Sequence, residues 1–287
     1  MNNIISNPDR AQVLIDTLPY LKKYSGKTVV VKYGGNAMTD EKLKSHVMED
    51  LLLLWLEGVK VVLVHGGGPD ISDLMKRLGK KPEFVNGLRV TDLETVEIVE
   101  MALAGKVNKS LVSLLQRNGA KTIGLSGVDG LIVEAEFKDK ALGYVGNVIK
   151  INTEPITTLL ENGYLPVIAT LGADRDGNVY NINGDTTASH IAGALKADKM
   201  IMMTDIAGVM RDPKDPTTLI PSITVSEAKK LKEEGVISGG MIPKIDACLT
   251  ALNEGVGAVC IMDGRTPHSI LTEILTASNA GTTIVND

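Results

Sequence analysis

The chain has 287 residues, 44% of them hydrophobic, enough to bury a full core without disulfides or metal, and at roughly 150 residues per domain it reads as about two lobes. Its longest apolar runs, near 51–56 and 61–64, fall far short of the ~18 residues that a bilayer-spanning helix needs, which excludes a helical membrane protein. A formal charge of −5 with 3% aromatic residues gives no general attraction for nucleic acid and few rings on which bases could stack.

The first ten residues, MNNIISNPDR, lack a basic segment followed by an apolar stretch and do not read as a secretory leader. A helix is predicted over 8–24: Asn7 is its candidate cap, Pro8 fits the first helical position, and Ala11, Leu14, Ile15 and Leu18 recur at helical spacing. Pro19 is expected to kink or break it. Lying ahead of the first strand, this helix must cover its apolar stripe on its own subunit or against another chain. Apolar runs then mark strands at 28–33, 60–65, 121–126, 165–169, 199–204, 258–262 and 282–285, each short enough to be buried on both faces. Helical patterns at 41–57, 70–78, 92–104, 109–118, 185–195, 226–234, 243–253 and 269–276 alternate with them. Such alternation predicts an α/β fold whose mostly parallel sheet carries helices on both faces. One interruption, 131–136 with 144–151 around Asp139 and Gly143, reads as an inserted β-hairpin. Cys248 and Cys260 sit in apolar surroundings without metal-ligand spacing, as expected of buried, reduced thiols in a cytoplasmic protein.

Three glycine-rich turns are expected to follow strands: Lys32-Tyr33-Gly34-Gly35, His65-Gly66-Gly67-Gly68-Pro69 and Gly239-Gly240-Met241-Ile242-Pro243-Lys244. Consecutive glycines let several N–H groups converge on one anion, and a following helix N-terminus adds a favourable dipole. The dinucleotide fingerprint is missing, and Gly26-Lys27-Thr28 lacks the glycine that a P-loop requires at the position of Leu21. Lys32 ends a very apolar strand, where an ammonium is costly unless it faces negative charge. Lys244 stands at a helix start, where the dipole disfavours a cation. Asp185 is placed either to cap the helix that follows or to hold the two lysines. Arg89, in Gly87-Leu88-Arg89, offers the planar fork that matches a carboxylate. His65 has no adjacent nucleophile and reads as structural.

Taken together, these motifs, with the stretch Asn181-Ile182-Asn183-Gly184-Asp185, resemble the amino acid kinase family from about residue 28 to the end of the chain. Within the family they are most similar to the branch that phosphorylates N-acetyl-L-glutamate in arginine biosynthesis. One departure is Gly184, where the family pattern more often has Ala. The resemblance implies a three-layer αβα sandwich with a mostly parallel central sheet and an N-terminal extension helix. It divides the chain into an oligomerisation helix over 1–26, an acceptor-binding and dimerisation lobe over 27–180, and a nucleotide-binding lobe over 181–287. ATP with Mg2+ is the implied cofactor pair, and the acceptor carboxylate is the nucleophile, yielding an acyl phosphate. By the same resemblance Lys32 and Lys244 neutralise the transferring phosphoryl group and Asp185 orients them. Gly67, Gly68, Arg89 and Asn181 bind the acceptor; Gly34, Gly35, Thr204, Asp205, Gly208, Gly239 and Gly240 bind the nucleotide. No metal-ligating side chain is assigned.

The element Leu18-Pro19-Tyr20, with His268, Leu271, Glu273 and Gly281, resembles the arginine-inhibited type of that branch, in which such helices interlace dimers into a hexamer. L-arginine is thus the implied feedback inhibitor, held by Tyr20, His268, Glu273 and Gly281. A signalling-protein regulator is left open. Two other readings stand beside this one: another amino acid or carbamate kinase of the family, and a catalytically inactive nucleotide-binding regulator. Retention of both lysines and Asp185 argues against the regulator, because a mere binder has no need of charges aimed at a transition state.

Overall fold

The computed structural model describes residues 6–287; the first five, part of the stretch read above for a leader, lie outside the described residues. Helix α1 (Asn7–Tyr24) is capped by Ser6 rather than Asn7, because the Ser6 hydroxyl reaches the Asp9 N–H three residues on, at 3.3 Å. It runs through Pro19 without the expected break. Its last turn is held by packing, with Tyr20, Leu21 and Tyr24 against the core, which offsets the one backbone hydrogen bond that proline removes. Leu14, Ile15 and Leu18 remain exposed.

The chain then alternates as its pattern predicts: β1 (Thr28–Tyr33), α2 (Glu41–Leu56), β2 (Lys60–His65), α3 (Gly68–Arg77), a small hairpin of β3 (Phe84–Val85) and β4 (Leu88–Arg89), and α4 (Leu93–Glu100). A π-helical stretch, Met101–Val107, joins α4 to α5 (Asn108–Arg117). The helix expected to end at 104 therefore continues, with a wider turn in its middle. Next come β5 (Thr122–Ser126), β6 (Val133–Phe137), β7 (Gly146–Ile151), α6 (Glu154–Glu161), β8 (Leu165–Ala169), β9 (Leu171–Ala173) and β10 (Val179–Asn181). The last part holds α7 (Gly184–Ala194), β11 (Lys199–Thr204), β12 (Ser222–Thr224), α8 (Val225–Glu233), α9 (Met241–Asn253), β13 (Val259–Asp263), α10 (Ser269–Leu275) and β14 (Gly281–Val285).

Eight strands form one sheet in the order β12-β14-β13-β11-β1-β2-β8-β5. All pairs in it are parallel except β13 with β14. Side chains alternate across it. Val30, Val62, Val64, Met200 and Met202 enter one core, while Val29, Val31, Val61, Leu63, Ile201 and Met203 enter the other. Burial on both faces explains why the central strands read as unbroken apolar runs. The expected hairpin is present as antiparallel β6 and β7, but it belongs to a second sheet, β10-β9-β6-β7. No helix among the described residues is long and apolar enough to cross a membrane. Both cysteines are buried, and burial pushes the Cys260 thiol up to about 12.

Candidate active site

Strand β1 sits at the centre of the sheet, and its register fixes what gathers at its carboxyl end. Lys32 lies beside Val64 of β2 and Met202 of β11, and Tyr33 lies beside His65. The glycines after β1 and β2 therefore leave the sheet as neighbours, the position where open α/β sheets bind ligands. The Lys32 ammonium, on a residue only 8% exposed, lies 2.9 Å from Asp185 Oδ1 and donates at 3.5 Å to the Met203 carbonyl. Lys244, in the first turn of α9, donates to the other oxygen, Asp185 Oδ2, at 3.1 Å. One carboxylate thus bridges two ammonium groups. Burial pushes the Asp185 carboxyl up, but the Lys32 and Lys244 charges outweigh it and hold it below the usual carboxylate range. Asp185 does not cap α7; Asn183 does, its side-chain oxygen accepting from the Asp185 and Thr186 N–H groups at 2.9 and 3.1 Å. The capping duty read as the default for Asp185 is thereby taken over, which frees its carboxylate for the lysines.

Lys32 and Lys244 line a cleft of about 410 Å³ together with Gly34, Gly35, Thr204, Asp205, Gly208 and Gly240, and its apolar lining includes Met203, Ile206, Val209, Met210, Val236 and Met241. Gly239 falls just outside this lining, in a left-handed turn with φ +53°; this third glycine turn joins α8 to α9 and does not follow a strand as expected. A Cβ at Gly34 would come within 3.1 Å of the Lys32 ammonium, and one at Gly35, where φ is +73°, within 3.0 Å of Asp205 Oδ1. Side chains there would crowd the two groups that face the cleft. No side chain caps α9; its first two N–H groups, of Met241 and Ile242, donate to the Ser238 and Gly239 carbonyls at 3.1 and 3.2 Å, and Pro243 has none. An apolar-lined cleft with two ammonium groups at its edge has room and charge for a nucleotide with its phosphates. A Cβ at Gly184 would meet Lys32 Cε at an ordinary 3.5 Å, so this departure from the family pattern removes a buttress without opening a clash.

Arg89 is buried, not a surface arginine. Its guanidinium lies over the Phe84 ring at 4.7 Å and donates to the Gly68 carbonyl at 3.2 Å and to Ser72 Oγ at 2.9 Å. Burial lowers its pKa, with no carboxylate opposing; among the described residues none pairs with it. Thr91 Oγ1 donates to the Arg89 carbonyl at 2.7 Å and accepts from Asn181 Nδ2 at 3.2 Å. Arg89, Asn181, Gly67 and Gly68 are thereby drawn into one group, with Gly67 at the uncapped start of α3. His65 is structural. Fully buried, it meets the Gly66 carbonyl through Nδ1 at 2.8 Å and Asn108 through Nε2 at 3.1 Å, and burial lowers its pKa to about 4.

The residues read as an effector pocket surround α10, which α1 contacts. Tyr20 packs on the adjacent core. His268 precedes α10 and bonds Asp50 at 2.6 Å. Glu273 is not a free carboxylate: Oε1 pairs with the Lys199 ammonium and accepts from Thr283 Oγ1, and Oε2 accepts from the Ala280 N–H. Gly281 pairs so closely with β13 that a Cβ would strike the Ile261 carbonyl. The sequence reading missed Thr91, Ser72 and the capping role of Asn183. For Asn183 the signal was present, an Asn two residues before an acidic helix start; Thr91 and Ser72 gave none.

Residues 27–263 match the model of the amino acid kinase family. The chain belongs to the amino acid kinase family. Over 284 residues, this amino acid kinase is 50% identical to an acetylglutamate kinase of Clostridium beijerinckii, covering 98% of itself and 100% of that relative. It is 51% identical over 279 residues to the acetylglutamate kinase of Clostridioides difficile, covering 97% and 98% of the two chains. Among solved structures it resembles the N-acetylglutamate synthase of Neisseria gonorrhoeae complexed with coenzyme A and N-acetyl-glutamate, with a TM-score of 0.84 at 25% identity. That match covers 96% of the kinase but 63% of the longer synthase chain.

Proposed function

We propose that this amino acid kinase transfers the γ-phosphoryl group of ATP to the side-chain carboxylate of N-acetyl-L-glutamate, forming N-acetyl-L-glutamyl 5-phosphate and ADP. The observation that carries the proposal is the pair of ammonium groups, Lys32 and Lys244, held on Asp185 beside the glycine turns of a nucleotide-sized cleft. A carboxylate is already ionised at neutral pH, so the reaction needs no general base, and none is placed here. A carboxylate oxygen forms the new bond to phosphorus as the bond to the ADP oxygen breaks. Positioning and charge neutralisation then account for catalysis. Lys32 and Lys244 offset the charge on the transferring group, and Asp185 keeps both ammonium groups in place between turnovers. Mg2+ arrives on ATP as part of the nucleotide substrate and supplies further neutralisation of the phosphate charge. Gly34, Gly35, Gly239, Gly240 and the 204–209 turn bind the nucleotide, and residues 181–287 form the nucleotide lobe. On the other side, in the lobe spanning 27–180, the unpaired guanidinium of Arg89 supports recognition of a carboxylate, with Asn181, Gly67 and Gly68 completing the acceptor site.

Regulation belongs to the same proposal. The uncovered Leu14, Ile15 and Leu18 of α1 support pairing of this helix with another subunit, in a hexamer built as a trimer of dimers. L-arginine binds at the junction of α1 and α10, near Tyr20, His268, Glu273 and Gly281, where its guanidinium shares Glu273 with Lys199. Coupled ADP release with N-acetyl-L-glutamate, glutamate, aspartate and carbamate as acceptors tests the substrate. The first should exceed the other three; an equal or larger rate with carbamate would reassign the enzyme within its family.

A further inference from the structure

Away from the cleft, α2 and the start of α10 bring together three side chains, of which only His268 has a part in the reading above, beside the arginine site. His46 and Glu49 lie three residues apart on α2 and so share a face. His268 approaches from the residue before α10, and one ligand atom from each of the three lies within 4.8 Å of the others. The His46 and His268 rings are 4.6 Å apart between centroids.

Three details mark this cluster as a built site. His46 Nδ1 is buried without a hydrogen-bond partner, a costly state for a polar atom unless something else satisfies it. His268 Nδ1 lies 2.6 Å from the fully buried Asp50 carboxyl, a contact that orients the ring and leaves Nε2 as the nitrogen to face a ligand, as in carboxylate–histidine–metal arrangements. His268 also holds a left-handed backbone, φ +55°, uncommon outside glycine and concentrated at functional positions.

We propose that His46, Glu49 and His268 form a binding site for one divalent transition-metal ion, with Asp50 orienting His268. Two imidazoles and one carboxylate suit Zn2+, Co2+ or Ni2+, whereas Mg2+ prefers oxygen ligands alone. Zinc bonds of about 2.0–2.2 Å place tetrahedral ligand atoms roughly 3.3–3.6 Å apart, tighter than the 4.8 Å limit of the cluster, so binding draws the exposed Glu49 carboxylate in toward the two imidazoles. The fourth position falls to water. A bound ion ties α2 to the start of α10, segments whose Asp50 and His268 are 218 residues apart, and so stabilises the folded chain through binding.

The test is titration of untagged, nucleotide-free, chelator-treated protein with Zn2+, and separately with Co2+ followed by visible ligand-field absorption. The expected result is one ion per chain, not displaced by excess Mg2+, with a raised Tm. Asp50→Asn should weaken binding by about 10- to 100-fold, and His46→Ala and Glu49→Gln by at least as much. Glu49 is exposed, so Glu49→Gln reports even if Asp50→Asn fails to fold, and its kcat in chelator should equal that of the parent. Substoichiometric binding, displacement by Mg2+, or unaltered affinity in Glu49→Gln and His46→Ala would overturn the proposal.

Discussion

At the scale of single residues, charge in apolar surroundings is what made the site readable. Lys32 closes a strand of three valines, and Lys244 sits where a helix dipole disfavours it; both find the same carboxylate, Asp185. Replacing either lysine with alanine should lower kcat by about 10²-fold or more, the usual effect of losing one preorganised charge, with circular dichroism unchanged. Near-normal turnover in either variant would remove that lysine from catalysis. Arg89→Lys substitutes a point charge for a planar fork and should raise KM for acetylglutamate while leaving KM for ATP nearly unchanged; steady-state kinetics with each substrate varied separates the two. Thr91 and Ser72 were not legible, because a hydroxyl carries no pattern in sequence. Their roles arise from a hairpin, β3 and β4, that folds Arg89 back onto the start of α3.

At the scale of elements, the long alternation was legible because each central strand is buried on both faces and each helix carries one apolar stripe. Short pieces were not. Strands β9, β10 and β12 have three residues each, too few to show a period, and α6 opens with Glu154 and Pro155, which read equally as a turn. The π-helical stretch after α4 has the composition of an ordinary helix, so nothing in the pattern announces it. Helix α1 is the element whose proposed role depends on other subunits. Its outer stripe is uncovered while its last turn is docked. Deleting residues 1–24 should leave an active dimer that arginine no longer inhibits, whereas the intact protein should run as a hexamer in light scattering. A dimeric intact protein, or full inhibition of the shortened one, would contradict the assignment.

At the scale of the whole molecule, one sheet carries both proposed substrate sites: β5, β8, β2 and β1 come from the first 169 residues, and β11, β13, β14 and β12 from residue 199 onward. On that proposal, phosphoryl transfer takes place at the seam between β1 and its two neighbours. Global stability has its own titrating marker in His65, whose folded pKa of about 4 lies below the unfolded value of about 6.5. The unfolded chain binds the proton better, so this contribution is fully present above pH 6.5 and is lost as pH falls toward 4, to roughly 3 kcal/mol in all. Urea unfolding across that range should show the loss, and His65→Gln should reduce its slope. The central claim, transfer to a carboxylate, is tested most directly by running the reaction with N-acetyl-L-glutamate in the presence of hydroxylamine, which traps acyl phosphates as hydroxamates. Hydroxamate should form in step with ADP and vanish when the acceptor is omitted; ADP release without hydroxamate would contradict the account.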